Sequence, residues 1–168
     1  MISEREAMDH LDDAGCAPNV IRHCVVVSQT AVEIAQQLIA DGKKVDLDRV
    51  KIGALLHDIG RAHTHGIDHA VEGARIATQL GLDRNLVSII KKHIGAGISW
   101  DEAKDIGLPD DDYIPQTIEE KIVAHADNLV RGEIRVPLDQ NLCRMREKNV
   151  AKPIIDKIQE LADEIGVY

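Results

Sequence analysis

The sequence predicts an all-α protein, a single-domain bundle of helices, and three observations lead to this fold class. Hydrophobic residues make up 44% of the 168 positions, yet the chain contains no Phe, one Trp and two Tyr. A core built from Leu, Ile, Val and Ala favours closely packed helices over an aromatic-rich sheet. Apolar residues also recur at the three-to-four spacing of amphipathic helices. Finally, strand signals are nearly absent, and neither an internal repeat nor a linker divides the chain.

Capping signals mark the first two helices. Ser3 and Glu6 form a capping box for a helix that runs to about Ala14. Pro18 then opens a long helix to about Ala40, because proline suits the first turn of a helix. The long helix has apolar residues along one side and polar residues along the other, which predicts that one face is buried.

The next helix leads into a short polar stretch. Asp46 caps this helix, whose apolar run meets His57 and Asp58. Gly60 ends or loosens the helix, and a polar loop rich in histidine follows over positions 61–69. Such a loop is typical of the mouth of a pocket, and a solvated surface loop is the alternative.

Four further helices are predicted before the tail of the chain. The residues that cap them are Asp68, Asp83, the pair Ser99 and Glu102, and the pair Thr117 and Glu120. The segment 107–116 contains two prolines and three consecutive aspartates, and it is predicted to be a surface loop.

The tail contains a polar helix at about 138–148 and an amphipathic helix at about 153–165. The second helix has an apolar stripe that could cover the core or a second subunit, as in a homodimer. The residues of this stripe are Ile154, Ile158, Leu161 and Ile165.

Charge and hydropathy exclude some classes of partner. Twenty basic and 29 acidic residues give a formal net charge of −9. An acidic surface repels polyanions, so a nucleic acid polymer is not expected, whereas a buried metal would still attract a small phosphate compound. No window approaches the ~20 apolar residues of a membrane span, and the first residues are charged where a signal peptide would be apolar. We therefore expect a cytoplasmic protein without a membrane partner.

Cysteine usage gives no sign of a disulfide framework. Cys16, Cys24 and Cys143 form no CxxC pair. We interpret all three as core or inert thiols.

Five separate helices each place one polar residue or pair in an apolar setting. These residues are His23, the pair His57 and Asp58, His69, His93 and Asp127. A single buried histidine is usually satisfied by a neighbouring group, but burying ionisable groups without partners is costly. Imidazole nitrogens and carboxylate oxygens are good metal ligands, and bundles build metal sites from side chains on facing helices. Together the five positions favour a metal centre.

The ordered set His, His-Asp, Asp, with His57-Asp58-Ile59-Gly60 at its centre, resembles the HD-domain metal-dependent phosphohydrolases. The resemblance covers most of the chain, from about 19 to 131. It implies one HD-type helical domain over 1–168, with a metal-binding core at about 19–131 and a C-terminal helical extension at about 132–168.

The resemblance also implies a set of metal ligands. Those implied for a first ion are His23, His57, Asp58 and Asp127. His69 and His93 match the additional histidines of two-metal members, in which the aspartate of the HD pair bridges the ions. Nitrogen and oxygen ligands without thiolate fit Fe, Mn, Co, Ni or Zn. In layout the chain is most similar to HD-type hydrolases that cut dinucleoside tetraphosphates symmetrically.

The chain departs from the family pattern in several places. Arg61 stands where lysine is common, but its guanidinium can still grip phosphate. Asn128 replaces another frequent lysine, which puts substrate contacts in doubt but not the metal. The GYP signature of cyclic-di-nucleotide phosphodiesterases is missing, as is their double histidine near His93, so those enzymes are a lesser alternative.

These residues predict a metal-dependent phosphohydrolase that acts on a nucleotide or another small phosphate ester or anhydride. Hydrolysis of such a bond needs a nucleophile at neutral pH and relief of charge on the phosphoryl oxygens, and two divalent ions supply both. We expect Arg61 to hold a phosphate oxygen and His63 or His65 to protonate the leaving group. Asp58 should be the least replaceable ligand.

Three other functions remain open at this stage. A one-metal nucleotidase would use only the four central ligands and leave His69 and His93 as pocket donors. A di-iron oxygenase would use the same ligands on oxygen rather than water. A helical module with a structural metal, or one that binds a nucleotide as a signal, would not be an enzyme.

Overall fold

The computed structural model describes residues 2–167. Within this range the chain forms nine α-helices, one 3-10 helix and a two-stranded hairpin, so the prediction of an all-α fold is confirmed. The elements in order are α1 Glu4–Ala14, α2 Pro18–Ala40, α3 Leu47–Leu56, the 3-10 helix Ile59–Ala62, α4 His69–Gln79, α5 Arg84–Lys92, α6 Trp100–Asp105, α7 Ile118–Asn128, β1 Val130–Arg131, β2 Ile134–Arg135, α8 Leu138–Glu147 and α9 Lys152–Ile165.

Side-chain caps explain most of the helix starts. The three complete capping boxes are Ser3 with Glu6, Ser99 with Glu102 and Thr117 with Glu120. The carboxylates of Asp46 and Asp83 also accept from the first turns of α3 and α5. Asp68 does not cap α4 in this way, because its Oδ1 accepts instead from the Thr64 hydroxyl at 3.0 Å. The predicted side-chain cap at Asp68 is therefore wrong.

The long helix α2 lies at the centre of the bundle and packs against α3 and α7. The main core is aliphatic and joins α2, α7 and α9, with Val27, Ile34, Ile122 and Ile158 almost fully buried. Burial of this apolar surface is the dominant favourable contribution to folding. A second cluster lies between α1, α3 and α5, around Leu56.

The apolar face of α9 covers the main core, but it differs in one residue from the predicted stripe. Ile158, Leu161 and Ile165 are buried as predicted. Ile154 is 44% exposed, and its neighbour Ile155 is buried in its place. The sequence offers two adjacent isoleucines here, and only the angle at which α9 meets the core selects between them.

The segment 107–116 is not a simple surface loop. Leu108 and Tyr113 are buried against Ala103 of α6 and form a small third cluster. The Tyr113 hydroxyl donates to the carbonyl of Pro109 at 3.0 Å, which satisfies its polar end. The three aspartates stay exposed, so the prediction is correct for the charged residues and wrong for the apolar ones.

A short hairpin follows α7, although the sequence reading found almost no strand signal. Val130 pairs with Arg135 and Arg131 with Ile134 in antiparallel register. Gly132 has a φ of 60° in the two-residue connection, a conformation that suits glycine in tight hairpins.

The cysteines divide into two groups. Cys16 and Cys24 are buried, and burial raises the pKa of the Cys16 thiol to about 11, which keeps this thiol protonated and unreactive. Cys143 is exposed, so it is not a core residue. Among residues 2–167, no helix is both long and apolar enough to cross a bilayer.

Gly60 lets the 3-10 helix pass directly beside α4. A Cβ at this position would overlap the carbonyl oxygen of His69 and lie 2.5 Å from the amide nitrogen of Gly73. The absence of a side chain at Gly60 therefore allows the close approach of the segment that carries Asp58 to the start of α4.

Candidate metal centre

Side chains from five parts of the chain converge at the middle of the bundle. They are His23 of α2, His57 and Asp58 after α3, His69 at the start of α4, His93 after α5, and Asp127 near the end of α7. Three overlapping groups of these residues have ligand atoms within 4.8 Å of one another: His23, His57 and Asp58; His57, His93 and Asp127; and Asp58, His69 and His93. The structure thus brings together all six residues that the sequence predicts as metal ligands.

Asp58 lies between two sets of histidine nitrogens. Its Oδ1 is 3.1 Å from Nε2 of His69 and 3.5 Å from Nε2 of His93. Its Oδ2 is 3.7 Å from Nε2 of His57 and 3.8 Å from Nε2 of His23. Each carboxylate oxygen therefore faces a different pair of rings, an arrangement suited to a bridging ligand.

Asp127 completes the group on the Oδ2 side of Asp58. Its Oδ1 lies 3.1 Å from Nε2 of His23 and 3.6 Å from Nε2 of His57. These two histidines thus have a carboxylate oxygen on either side. Two histidines and two carboxylates form a mixed nitrogen and oxygen donor set that suits divalent transition metals.

Backbone carbonyls orient all four histidine rings. Nδ1 of His57 donates to the carbonyl of Ala54, and Nδ1 of His69 donates to the carbonyl of Gly66, each at 2.7 Å. Nδ1 of His93 donates to the carbonyl of Ile90 at 2.8 Å, and Nδ1 of His23 donates to the carbonyl of Gly132 at 2.7 Å. A carbonyl oxygen only accepts hydrogen bonds, so Nδ1 carries the proton in each neutral ring and Nε2 presents a lone pair to the centre.

Two buried atoms at the centre are left without hydrogen bonds. Among the described residues, neither Nε2 of His57 nor Oδ1 of Asp58 has a hydrogen-bond partner of good geometry. A buried polar atom without a partner costs about 1–3 kcal/mol. A cation between these atoms would satisfy both, so the residues present fit a metal centre.

Ionisation at the centre favours bound cations. Burial raises the pKa of Asp58, but His57, His69 and His93 lower it by more, so the pKa lies far below its usual range. For Asp127, burial is likewise outweighed by His23 and His57. Both carboxylates are therefore ionised, Asp58 in a buried setting and Asp127 in a partly buried one, where a positive partner is favoured.

The histidines respond to the same surroundings in different ways. Burial lowers the pKa of His57, but the adjacent Asp58 carboxylate raises it by more, so the net pKa is well above its usual value. Burial lowers the pKa of His93 below its usual value. In the absence of metal, His57 thus carries compensating positive charge, and a metal ion would displace its proton.

A cleft of about 300 Å³ opens onto the centre from the side of His23 and Asp58. Arg61 and His65 line it, and Arg61 Nε donates to Oδ2 of Asp58 at 2.6 Å. His63 is not among the lining residues, because its Nδ1 bonds Glu72 of α4 at 2.5 Å. Of the residues predicted to act on substrate, Arg61 and His65 thus share the cleft and His63 faces elsewhere.

The hairpin that completes the cleft is not predicted from the sequence. Gly132 supplies the carbonyl that orients His23, and Glu133 beside it lines the opening. A signal was present, since a glycine stands between two short runs that each contain a β-branched residue. The runs are only two residues long, which is why they did not suggest strands.

Residues 20–132 match the sequence profile of the HD domain. The chain belongs to the HD domain family. The predictions of the family and of its helical fold are therefore confirmed, and the matched range contains the positions of all six clustered residues.

Several curated proteins resemble this HD domain. Uncharacterized protein MJ0778 of Methanocaldococcus jannaschii is 50% identical over 153 residues, which cover 90% of each chain. The tRNA (cytidine(56)-2'-O)-methyltransferases of Thermoplasma volcanium and Picrophilus torridus are 47% and 42% identical over 147 residues. The matched segment covers 88% of this chain but only 42% and 41% of the two methyltransferases. It therefore corresponds to less than half of each methyltransferase.

Solved structures show the same HD fold. The HD domain of L. monocytogenes phosphodiesterase PgpH in complex with cyclic-di-AMP has a TM-score of 0.60 at 16% identity and covers 97% of both chains. A predicted HD superfamily hydrolase from an uncultured Thermotogales bacterium has a TM-score of 0.52 at 24% identity, covering 96% of this chain and 86% of that one. At these identities the likeness shows the fold alone.

Proposed function

We propose that the protein is a metal-dependent phosphohydrolase that acts on a nucleotide or another small phosphate ester or anhydride. The observation that carries the proposal is the position of Asp58 between two pairs of histidines whose Nε2 atoms are all directed inward. Membership of the HD domain family supports it, and so does the pair of buried atoms that lack hydrogen-bond partners.

Two ions would be held by overlapping sets of residues. The first set is His23, His57, Asp58 and Asp127, whose facing nitrogen and oxygen atoms lie 3.1–3.8 Å apart, and the second is Asp58, His69 and His93. Divalent ions bound at such a centre acidify water and neutralise charge on phosphoryl oxygens. The ions of choice are Fe, Mn, Co, Ni or Zn, since the donors are nitrogen and oxygen without thiolate.

Arg61 and His65 would act on the substrate from the cleft. Nε of Arg61 is engaged by Asp58, which points the planar guanidinium along the cleft and leaves its terminal N–H groups to bind phosphate oxygens. His65 has a titratable nitrogen at the same opening, which suits a proton donor to the leaving group. His63 is the second choice for this role, because its hydrogen bond to Glu72 would have to break.

A nucleotide is the substrate class that we favour. The layout that resembles the symmetric dinucleoside tetraphosphate hydrolases supports anhydride substrates. The fold neighbour PgpH is a phosphodiesterase that was solved with cyclic-di-AMP, so phosphodiesters belong in the same test. Nucleic acid polymers are less suited, because the chain carries a net charge of −9.

The decisive experiment is a hydrolysis screen with metal-reconstituted protein. The panel contains nucleoside mono-, di- and triphosphates, dinucleoside polyphosphates and cyclic dinucleotides, each tested with Fe, Mn, Co, Ni and Zn. We expect at least one phosphate compound to be hydrolysed by the wild type and none by Asp58→Ala. Activity that persists in Asp58→Ala would come from another site or a contaminant, and the absence of hydrolysis with every metal would overturn the proposal.

A further inference from the structure

We infer that Arg144 of α8 and Lys148, the residue that directly follows this helix, form a second anion subsite, which binds a phosphate group of the substrate other than the one that is cleaved. The inference rests on the proposed function and extends it to the substrate class. It assigns the protein to substrates that contain at least two phosphate groups, such as nucleoside polyphosphates or dinucleotides, rather than to monophosphates.

A groove of about 390 Å³ lies between α8 and Asp127, at the edge of the metal centre. Asp127, one of the six clustered residues, lines this groove, and its side chain is 25% exposed. Arg144 and Lys148 line the same groove. A molecule that reaches the metal centre past Asp127 would therefore lie beside both cations.

Both cations lack an anionic partner within the protein. Across the described residues, neither Arg144 nor Lys148 forms an ion pair. By contrast, Nζ of Lys157 lies 2.6 Å from Glu102, and Nη1 of Arg135 lies 2.6 Å from Glu33. In a chain with a net charge of −9, two cations without carboxylate partners in one groove favour an anionic ligand.

The spacing of the two cations suits a phosphate group. Residues four apart lie on the same face of a helix, about 5–6 Å apart between Cβ atoms. Arg144 supplies a planar fork of N–H donors, and Lys148 supplies a mobile ammonium group. Between them the two side chains can contact several oxygens of one phosphate.

Hydrogen bonds hold the groove in a defined position relative to the metal centre. The Asn141 side-chain amide of α8 donates to the carbonyl of Asn128 at 2.9 Å. The Asn128 side chain in turn donates to the carbonyl of Gly95 at 2.8 Å, just after His93. Asn128 thus ties α8 to the segment that follows His93.

The groove also has an apolar wall. Ile94, Val130 and Met145 line it, with Ile154 at its outer end. Such a surface suits the face of a nucleobase or the sugar rather than more phosphate. The cleft beside Arg61 is lined by Asp58, whereas the groove beside Arg144 is lined by Asp127. An elongated substrate could therefore occupy both.

A binding experiment with Arg144→Gln and Lys148→Gln tests the inference. Arg146→Gln is the matched control, because Arg146 lies on the same helix, is exposed and does not line the groove. Isothermal titration calorimetry measures the binding of inorganic pyrophosphate and of orthophosphate to the manganese-reconstituted protein. Metal analysis after each titration verifies that the ions have stayed on the protein.

We expect pyrophosphate to bind the wild type more tightly than orthophosphate. Arg144→Gln and Lys148→Gln should each weaken pyrophosphate binding by about tenfold, since each removes a charge-assisted hydrogen bond, and should change orthophosphate binding by less than about twofold. Arg146→Gln should leave both affinities unchanged. The inference is wrong if the three variants behave alike or if the two anions are affected equally.

Kinetics separate this inference from the proposed function. With a substrate found in the screen that has two or more phosphates, Arg144→Gln and Lys148→Gln should each raise KM, whereas Arg146→Gln should leave KM unchanged. Hydrolysis with unaltered KM in both variants would overturn the subsite and leave the hydrolase proposal intact. Loss of pyrophosphate binding only in Arg144→Gln and Lys148→Gln, without hydrolysis of any compound, would support the subsite and overturn the hydrolase.

Discussion

The two sides of the Asp58 carboxylate lie in different surroundings. On the Oδ2 side, the side chains of His23 and Asp127 are 16% and 25% exposed and face open clefts. On the Oδ1 side, those of His69 and His93 are only 6% and 1% exposed. This difference suggests that substrate and water meet the centre on the Oδ2 side, while an ion on the Oδ1 side would be held away from solvent.

The two sides also differ in how the chain builds them. His69 and His93 are each oriented by a carbonyl three residues earlier in the chain, at Gly66 and Ile90. His23 is instead oriented by a carbonyl that lies 109 positions away, in the hairpin after α7. His57, the other histidine of the open side, is also oriented locally, by the carbonyl of Ala54, so only His23 depends on packing of the whole bundle for its orientation.

The largest effect is expected for Asp58→Ala, which removes the group shared by both sides. Hydrolytic activity should fall by at least about 10³-fold, and bound metal should fall from about two ions per chain to about none, because both sets of ligands lose a member. Metal analysis after gel filtration measures the second effect. Circular dichroism serves as the control for folding. Retention of two ions by this variant would show that Asp58 is not a bridge.

Removing one ligand from each side tests whether the two sides bind separate ions. His93→Ala should lower the metal content from about two ions per chain to about one. Activity should fall by at least about 10–100-fold, because even the loss of a residue that only supports a ligand has an effect of that size. His23→Ala should likewise leave one ion, now on the buried side. If the wild type itself holds one ion and His93→Ala leaves it in place, the one-metal alternative is correct.

Gly60→Ala should disturb the buried side through the backbone. The added Cβ would overlap the carbonyl oxygen of His69, so the 3-10 helix and α4 must move apart, at a cost of about 1–3 kcal/mol in the free energy of unfolding. Gly53→Ala is the comparison, because there the close atoms belong to the side chain of Ile89, at 2.8 Å, rather than to the backbone of a neighbouring element. Urea denaturation should therefore show the larger loss for Gly60→Ala.

Glu120→Gln should produce the smallest effect, with a definite pH dependence. Glu120 of α7 accepts from Ser88 at 2.6 Å and pairs with Lys92 at 3.3 Å, and so ties α7 to α5, which precedes His93. Burial raises its pKa, but hydrogen bonds from Ser88 and from the amides of Gln116 and Thr117, with the Lys92 charge, lower it by more. The net pKa lies below its ordinary value of 4.5.

A carboxyl group whose pKa is lowered by folding stabilises the fold above its unfolded pKa, and this contribution is lost as the pH falls through the folded pKa. At pH 7 the variant should therefore lose about 1 kcal/mol in the free energy of unfolding, the typical net contribution of one hydrogen bond. The difference from the wild type should shrink once the pH falls below about 4.5, the ordinary pKa of the group. A difference that is constant from pH 7 to pH 3 would contradict this assignment.

Much of the fold follows from local chemistry that can be read in the sequence. The capping boxes at Ser3, Ser99 and Thr117 involve contacts three residues apart, so the sequence suffices to place these helix starts. The short hairpin is not predicted because its strands are only two residues long, and the burial of Tyr113 is not predicted because it depends on tertiary packing around Ala103 and Val71. The choice between Ile154 and Ile155 failed for the same reason.

The sequence by itself determined the identity of the polar residues that interrupt the apolar helices, because an ionisable group in an apolar run needs a partner whatever the fold. Only the tertiary structure decided which atoms meet. It gave each oxygen of Asp58 its own pair of histidines, brought the Gly132 carbonyl to His23, and set Arg144 and Lys148 in a groove with Asp127. Such contacts join residues far apart in the chain, and their distances depend on how the helices pack rather than on local sequence preferences.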